Sequence, residues 1–238
     1  MNAVELSNVS KHYLLGAERV AAISDVTLCI RAQRFTVLAG PSGSGKSTLL
    51  NLIGCIDRPD AGHLLIGGKT VQDWTDADLT AFRASHIGFI FQNFNLLPVL
   101  TAWENVEYPL LLAGTPAIER RRRVSEMLDA VGLADKARHR PNQLSGGQCQ
   151  RVAIARALIH QPHLILADEP TANLDSQTAT GIVSLMRDLQ RQRHTTFVFS
   201  SHDPMLMSHA DDLVQIRDGR IGLATPTMAS GPATGTPQ

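Results

Sequence analysis

The sequence of 238 residues lacks a cysteine cluster, an excess of either charge and a long apolar run. Cys29, Cys55 and Cys149 form no Cys-x-x-Cys pair and cannot all be joined by disulfides within one chain, which favours a reducing, cytosolic compartment. The 22 Lys and Arg residues balance the 22 Asp and Glu residues, so no overall field attracts nucleic acid, and we expect no nucleic-acid partner. The longest apolar runs, such as 108–113 and 163–167, fall far short of the ~18 residues that cross a bilayer, so we expect neither a transmembrane helix nor a signal peptide.

The remaining composition is that of a globular domain, with 43% hydrophobic and 18% charged residues, which excludes a disordered polyelectrolyte. An apolar stretch at 37–40 leads into a glycine-rich loop and then into a helical pattern that starts at Ser47. Two further apolar strands are predicted at 163–167 and 195–200, with a helix over 176–192 between them. Short strands that alternate with helices predict an α/β fold whose parallel sheet is covered on both faces.

Two other regions depart from this alternation. Residues 4–11 and 25–30 alternate between polar and apolar side chains, which predicts an antiparallel sheet beside the core. Residues 93–158 are mostly amphipathic helix broken by prolines, which predicts a helical insertion into the core. We therefore predict one domain over 1–222. The tail, 223–238, lacks the bulky side chains that would offset ordering entropy, and it is predicted to be disordered.

The glycine-rich loop fits the pattern Gly-x-x-x-x-Gly-Lys-Ser, in which glycines let backbone N–H groups curl around a polyphosphate at a helix N-terminus. Lys46 would reach the β and γ phosphates, and the Ser47 hydroxyl would ligate Mg²⁺. A chance glycine loop is the alternative, but the strand, loop and helix context favours a nucleotide site. The predicted nucleotide-binding residues of this loop are Gly40, Pro41, Ser42, Gly43, Ser44, Gly45, Lys46, Ser47 and Thr48.

A pair of carboxylates ends the second apolar strand. Asp168 is predicted to hold the Mg²⁺ shell, and Glu169 to orient and deprotonate the attacking water. The alternative is that the two carboxylates lie in an ordinary turn after the strand and have no catalytic role. The glycine-rich loop upstream makes this alternative the weaker one. A small-molecule kinase with a P-loop also stays open at this point.

A third motif, Leu144-Ser-Gly-Gly-Gln148, precedes a helical run. Ser145 and the amides after it would form another anion site at a helix N-terminus, although a capped helix start explains the same residues. Placed between a P-loop and an apolar strand ending in Asp-Glu, this pentapeptide resembles the signature motif of ATP-binding cassette (ABC) ATPases. The resemblance runs from about Ala3 to Gly222. It implies a P-loop NTPase core with an N-terminal antiparallel β subdomain and an inserted helical subdomain, and it implies ATP and Mg²⁺ as ligands.

The resemblance also implies roles for single residues. Gln92 corresponds to a glutamine that contacts Mg²⁺, and His202 to a histidine that contacts the γ-phosphate. Asp175 lies in a loop that crosses between two subunits, and Tyr13 fits the aromatic side chain that stacks on adenine. The signature residues of a second copy would complete each ATP site in a homodimer; they are Ser145, Gly146, Gly147 and Gln148.

Within the family, residues 88–98, 101–106 and 168–176 are similar to the lipoprotein-releasing and macrolide-exporting (LolD/MacB-like) branch. That similarity implies an integral membrane permease subunit with an extracytoplasmic domain as partner, and a peripheral location on the cytoplasmic face of the inner membrane. Transport of lipoproteins, macrolides or peptides is the function it implies. A non-transporting, mechanical complex of the cell-division type is the alternative that the ATPase sequence leaves open.

Other features bear on these alternatives. An ABC ATPase of DNA repair is disfavoured because residues 47–144 contain neither heptads nor a cysteine cluster. A kinase would give no reason for His202 or for the signature motif. Ser201 and Ala172 depart from the family's usual threonine and glycine. Cys149 falls near the predicted start of the signature helix, where the helix dipole favours a thiolate, and we expect a maleimide to label it.

Overall fold

A computed structural model describes residues 1–16 and 18–222, so the expected disorder of 223–238 lies outside the described residues. The strands are β1 (Asn2–Leu15), β2 (Glu18–Arg31), β3 (Phe35–Ala39), β4 (Ala61–Ile66), β5 (Lys69–Thr70), β6 (Ile87–Ile90), β7 (Leu164–Asp168), β8 (Thr196–Ser201), β9 (Asp212–Arg217) and β10 (Arg220–Ile221). The helices are α1 (Lys46–Ile53), α2 (Asp76–His86), α3 (Ala102–Leu112), α4 (Ala117–Ala130), α5 (Gly146–Leu158), α6 (Ser176–Arg193) and α7 (Pro204–Ser208).

The central sheet has the strand order β10-β9-β3-β8-β7-β6, and all of its neighbours are parallel except the β9–β10 pair. Ala39 pairs with Ser201, and Asp168 pairs with Ser200, so β3, β7 and β8 end at the same edge. Loops after parallel strands meet at that edge, which is where open α/β sheets bind ligands. The α/β class and the parallel core predicted from the sequence are confirmed.

Side chains of the central strands alternate between two apolar cores. On β3, Phe35 and Val37 face the core built with α3 to α6, whereas Leu38 faces the core shared with α1 and the antiparallel sheet. Phe35 packs against Phe199, with ring centroids 4.1 Å apart. A strand that is buried on both faces has a continuous run of apolar residues, and such runs predicted these strands from the sequence.

A second, antiparallel sheet lies beside the core in the order β2-β1-β4-β5. Its buried side chains, such as Val4, Leu6 and Val26, pack toward α1 and the central sheet, while the residues between them face outward. This is the N-terminal antiparallel subdomain expected from the period-two pattern. It brings Ala22, on β2, to the rim of the glycine-rich loop.

The helices α3, α4 and α5 lie within the predicted insertion, 93–158. Capping boxes start two of them: Thr101 with Glu104 begins α3, and Ser145 with Gln148 begins α5. Such a box pairs two otherwise orphaned N–H groups with side chains and stabilises a helix by about 1 kcal/mol. Among residues 1–16 and 18–222 no helix has the length and apolar character that a membrane span requires.

Candidate active site

A cavity of about 400 Å³ opens at the carboxyl edge of the central sheet. Its lining residues are Ala22, Ser42, Gly43, Gly45, Lys46, Ser47, Thr48, Gln92, Asp168, Glu169, Ala172 and His202. Four features singled out in the sequence thus line one space: the glycine-rich loop, Gln92, the Asp168-Glu169 pair and His202. Gly40, Pro41 and Ser44 belong to the same loop but do not line the cavity, and Ser44 is nearly fully buried.

The loop that floors the cavity depends on glycine at two positions. A Cβ atom at Gly40 would lie 2.1 Å from the carbonyl oxygen of Ile216, which no side chain can satisfy. Gly45 has φ 101° and serves as the N-cap of α1, and a Cβ there would lie 2.6 Å from the Ala22 carbonyl oxygen. A left-handed residue at this point turns the chain from the loop into the helix. The helix N-terminus therefore faces the cavity, where its dipole favours an anion.

Lys46 is held inside the loop that it terminates. Its Nζ donates to the carbonyl oxygens of Gly40 at 2.8 Å and Pro41 at 2.9 Å, and the residue is only 7% exposed. A buried ammonium needs such oxygen partners, because an unpaired one would be strongly unfavourable. The lysine therefore stands at the cavity floor as a localised positive charge.

Oxygen ligands suited to Mg²⁺ meet where Ser47, the residue after Lys46, contacts Asp168. The Ser47 Oγ donates to the Asp168 Oδ1 at 3.1 Å, and the Ser200 hydroxyl donates to the same carboxylate oxygen. A carboxylate beside a hydroxyl is the hard-oxygen donor set that Mg²⁺ takes, completed by phosphate oxygens and water. The residues present thus fit the ion that the sequence predicted.

Glu169 follows β7 in a left-handed conformation with φ 45°, which turns its side chain into the cavity. Its backbone N–H donates to the Ser200 carbonyl oxygen at 3.0 Å, and this bond holds the turn. His202 Nδ1 lies 2.8 Å from the Glu169 Oε1, and the Ser201 Oγ lies 3.2 Å from the Oε2. The Glu169 side chain is 17% exposed and the His202 side chain 70%, so the histidine is the more open partner.

The predicted signature residues do not line this cavity. The Ser145 Oγ accepts the N–H of Gln148 at 3.3 Å, and the Gln148 side chain accepts the N–H of Ser145 at 2.9 Å. Asp175 caps α6 by accepting the N–H of Thr178 at 3.0 Å, and hydrogen bonds from the side chain and the backbone of Thr178 lower the pKa of Asp175. The capped helix start that we weighed against an anion site is therefore present at Ser145. Neither the signature residues nor Asp175 are among the residues that line the cavity.

Gln92 lines the cavity, and its carbonyl oxygen accepts a hydrogen bond from the Asn173 Nδ2 at 3.1 Å. Tyr13 lies outside the lining and donates to the Asp57 Oδ2 at 2.9 Å. Burial raises the pKa of Tyr13, and the bond to Asp57 adds to that shift. Tyr13 is 38% exposed, so it lies on the surface outside the cavity lining.

The structure overturns one expectation, at Cys149, and adds one contact, at Ser200. Cys149 is 6% exposed, its Sγ lies 3.5 Å from the Pro141 carbonyl oxygen, and burial raises its pKa. The expectation of a reactive thiolate at this position is therefore wrong. Ser200 was not expected to contact Asp168; the signal that could have found it is a hydroxyl at the end of an apolar strand, since parallel strands end together.

Fold and site together define a P-loop nucleotide hydrolase with an inserted helical region. The family model described as ABC transporter matches residues 23–172. An uncharacterized ABC transporter ATP-binding protein from Thermotoga maritima is 50% identical over 218 residues, which cover 92% of this chain and 93% of that protein. The chain belongs to the ABC transporter ATP-binding family, and it is an ABC-type ATPase of a transporter.

Other relatives are longer than this chain. The macrolide export ATP-binding/permease protein MacB from Brucella melitensis is 46% identical over 218 residues, which cover 92% of this chain and 34% of that protein. A MacB protein from Yersinia pestis is 45% identical, with 92% and 33% covered. The chain thus spans about a third of the length of these relatives, and it is similar to their branch, as the sequence motifs indicated.

A solved structure extends the likeness to three dimensions. The ATP-binding cassette MJ0796, in a dimeric post-hydrolysis state bound to ADP and Pi, superposes with a TM-score of 0.86 at 43% identity. The match covers 94% of this chain and 99% of that one. The P-loop NTPase fold predicted from the sequence is therefore confirmed.

Proposed function

We propose that this chain hydrolyses ATP in the cavity at the carboxyl edge of its central sheet. The observation that carries the proposal is the convergence of Lys46, Asp168 and Glu169, from motifs more than a hundred residues apart, on one space. Lys46 holds the β and γ phosphates, and the N–H groups at the start of α1 bind their oxygens. His202 contacts the γ-phosphate from the open side.

Glu169 acts as the general base in this proposal. Its carboxylate enters the cavity beyond the Asp168 side chain, where it orients a water and accepts its proton as the water attacks the γ-phosphorus. Ser47, Asp168 and Gln92 would hold Mg²⁺, and the ion would supply positive charge against the phosphate oxygens. Positioning and charge, rather than covalent chemistry, supply the catalysis.

A second copy of the chain completes each site. The signature residues at the start of α5 present first-turn N–H groups but lie outside their own cavity, so the N-terminus of α5 can bind a phosphate only of another subunit's ATP. The dimeric form of the related cassette MJ0796 supports this arrangement. Two ATP molecules would lie between the subunits, with Asp175 and its loop at the crossing. Tyr13 stacks on adenine.

The work of this dimer is passed to a separate membrane subunit. MacB relatives are described as ATP-binding/permease proteins, and this chain matches a third of their length. We infer a permease with an extracytoplasmic domain as partner, reached from the cytoplasmic face of the inner membrane through the helical insertion. Lipoprotein release or export of macrolides or peptides is the transport function that this branch supports.

The variant Glu169→Gln tests the base and the dimer together. It should lower ATP hydrolysis by about 10²–10⁴-fold while ATP still binds, because the amide keeps the side chain's size and loses its basicity. Size-exclusion chromatography with ATP and Mg²⁺ should then show an accumulated dimer. Glu126→Gln, an exposed carboxylate on α4, is the matched control and should behave as the parent. Near-normal phosphate release rejects Glu169 as base, and a monomeric peak rejects the shared site.

The partner is tested by affinity purification of Glu169→Gln from solubilised membranes with ATP present. Co-purification of an integral protein with an extracytoplasmic domain supports the proposal. Recovery of a cell-division protein that moves no substrate would keep the ATPase and reject transport. DNA-stimulated hydrolysis would contradict the absence of a nucleic-acid partner.

A further inference from the structure

The last two residues of β8 are serines that contact the two carboxylates ending β7. Ser200 and Ser201 are both 0% exposed, and they bond to Asp168 and Glu169 respectively. Neighbouring residues of a flat strand point to opposite faces. Both serines nevertheless contact a carboxylate at the end of β7. Glu169 leaves the strand with φ 45°, and this turn brings its carboxylate to Ser201.

The hydrogen bonds of Ser201 fix the direction of its hydroxyl proton. The Oγ accepts the backbone N–H of Asp203 at 3.1 Å, which uses one of its lone pairs. A hydroxyl has a single proton, and the Glu169 Oε2 at 3.2 Å is the carboxylate acceptor in reach. Ser201 therefore donates to Glu169, and the Asp203 N–H, at the start of α7, holds the donor in place.

We propose that Ser201 is a positioning residue that holds the Glu169 carboxylate for the attack on ATP. The two carboxylate oxygens have different donors: the exposed His202 at Oε1 and the buried Ser201 at Oε2. When His202 turns to the γ-phosphate, Ser201 is the donor that still fixes the side chain, and Oε1 becomes free to receive the proton of water. This inference rests on the proposed role of Glu169 as base.

The first test separates chemistry from binding. Ser201→Ala should lower kcat for ATP roughly 5–30-fold, because a mobile base spends less time in line with the water, and the hydrogen bond to a charged group is lost. KM and the affinity for a fluorescent ATP analogue should stay within about twofold of the parent, since the Ser201 hydroxyl bonds to Glu169 and to the Asp203 N–H and to none of the predicted phosphate ligands. Ser201→Thr keeps the hydroxyl and should restore most of kcat.

A double-mutant cycle asks whether Ser201 acts through Glu169. In a Glu169→Gln background, Ser201→Ala should change the residual rate by less than about twofold, since the base it positions is already gone. Thr36→Val is the matched control: Thr36 is 1% exposed on the neighbouring β3, and its hydroxyl has no partner among the described residues. Its kcat should equal that of the parent.

The outcomes distinguish the two proposals. If Glu169→Gln keeps the parental rate, Glu169 is not the base and the proposed function loses its mechanism. If Glu169→Gln is slow but Ser201→Ala hydrolyses at the parental rate, only the positioning role is overturned. An equal further loss from Ser201→Ala in both backgrounds, or a weakened affinity for the analogue, would also overturn it, because either result indicates a general structural effect.

Discussion

The Asn173 side chain lies 3.1 Å from the carbonyl oxygen of Gln92 and 3.0 Å from the Oδ1 of Asn93, and its Nδ2 donates to both. The loop after β7 and the loop after β6 are therefore joined directly at the rim of the cavity. In the next two residues of the loop after β6, the carbonyl oxygens of Phe94 and Asn95 accept hydrogen bonds from the Arg156 guanidinium. Side chains from two directions thus hold this short segment.

We expect Asn173→Ala to loosen the loop that carries Gln92. Losing two hydrogen bonds, worth about 0.5–1.5 kcal/mol each, should speed amide hydrogen exchange at residues 92–95 by roughly tenfold. Exchange measured by mass spectrometry checks this. Asn51→Ala, in α1 away from the loop, is the control. Unchanged exchange at 92–95 would show that Arg156 alone holds the segment.

Lys46→Ala should abolish binding of ATP. The ammonium at the cavity floor supplies the localised charge that faces the β and γ phosphates, and alanine leaves none there. Titration with a fluorescent ATP analogue measures the loss, with Lys136→Ala, a surface lysine of the insertion, as control. If the variant bound the analogue as tightly as the parent, the prediction that this loop binds the nucleotide would be wrong.

Ser145→Arg should leave ATP binding by the monomer nearly intact and block hydrolysis, because the long side chain fills the space for the partner's γ-phosphate. Thr101→Arg provides the control, since Thr101 begins α3 with the same kind of capping box and its loss costs about 1 kcal/mol in the same way. Thermal unfolding of both variants measures the stability lost with the cap, which is then distinguished from the effect of blocking the site. Normal turnover in Ser145→Arg would reject the shared-site model.

Maleimide should react with Cys29 and leave Cys149 and Cys55 unmodified in the folded protein. Cys29 is exposed, whereas the other two are buried, and burial raises the pKa of Cys55 to about 11. Fewer thiolates and no access both slow the reaction. Mass spectrometry of the labelled peptides identifies the site, and Cys29→Ser should remove the rapid labelling. Fast labelling of Cys149 would restore the thiolate expectation.

Asp211 and Arg187 should make stability depend on pH. Burial alone would raise the pKa of Asp211, but its hydrogen bonds from Arg187 and the Phe35 N–H lower it. A carboxyl whose folded pKa is depressed stabilises the protein above its unfolded pKa of ~3.9, and this stabilisation is lost as pH falls through the folded value. Asp211→Asn should therefore cost about 1.5 kcal/mol at pH 7 and much less once the pH falls below the folded pKa of Asp211, as measured by urea unfolding. A cost that does not vary with pH would contradict the ion pair.

Local motifs were predictable from the sequence, whereas contacts between distant segments were not. The loop from Gly40 to Ser47 carries its geometry in consecutive residues, because glycines and a helix start determine it. The contact of Ser201 with Glu169 depends on the pairing of β8 with β7, which no local pattern specifies. The sequence also did not predict which side of α5 faces the core. Cys149 lies one turn into this helix, and only the packing of the fold shows that its thiol is buried.

The two carbonyl oxygens that hold Lys46 have a further consequence. The carbonyl oxygens of Gly40 and Pro41 accept hydrogen bonds from two of the three N–H groups of the Lys46 ammonium, so an incoming phosphate oxygen competes with bonds that already exist. The contribution of Lys46 to nucleotide affinity is then the difference in free energy between its bonds to the phosphates and its bonds to the two carbonyl oxygens. The lysine therefore has oxygen partners both with and without a bound nucleotide, and its ammonium is not left unpaired when the product leaves.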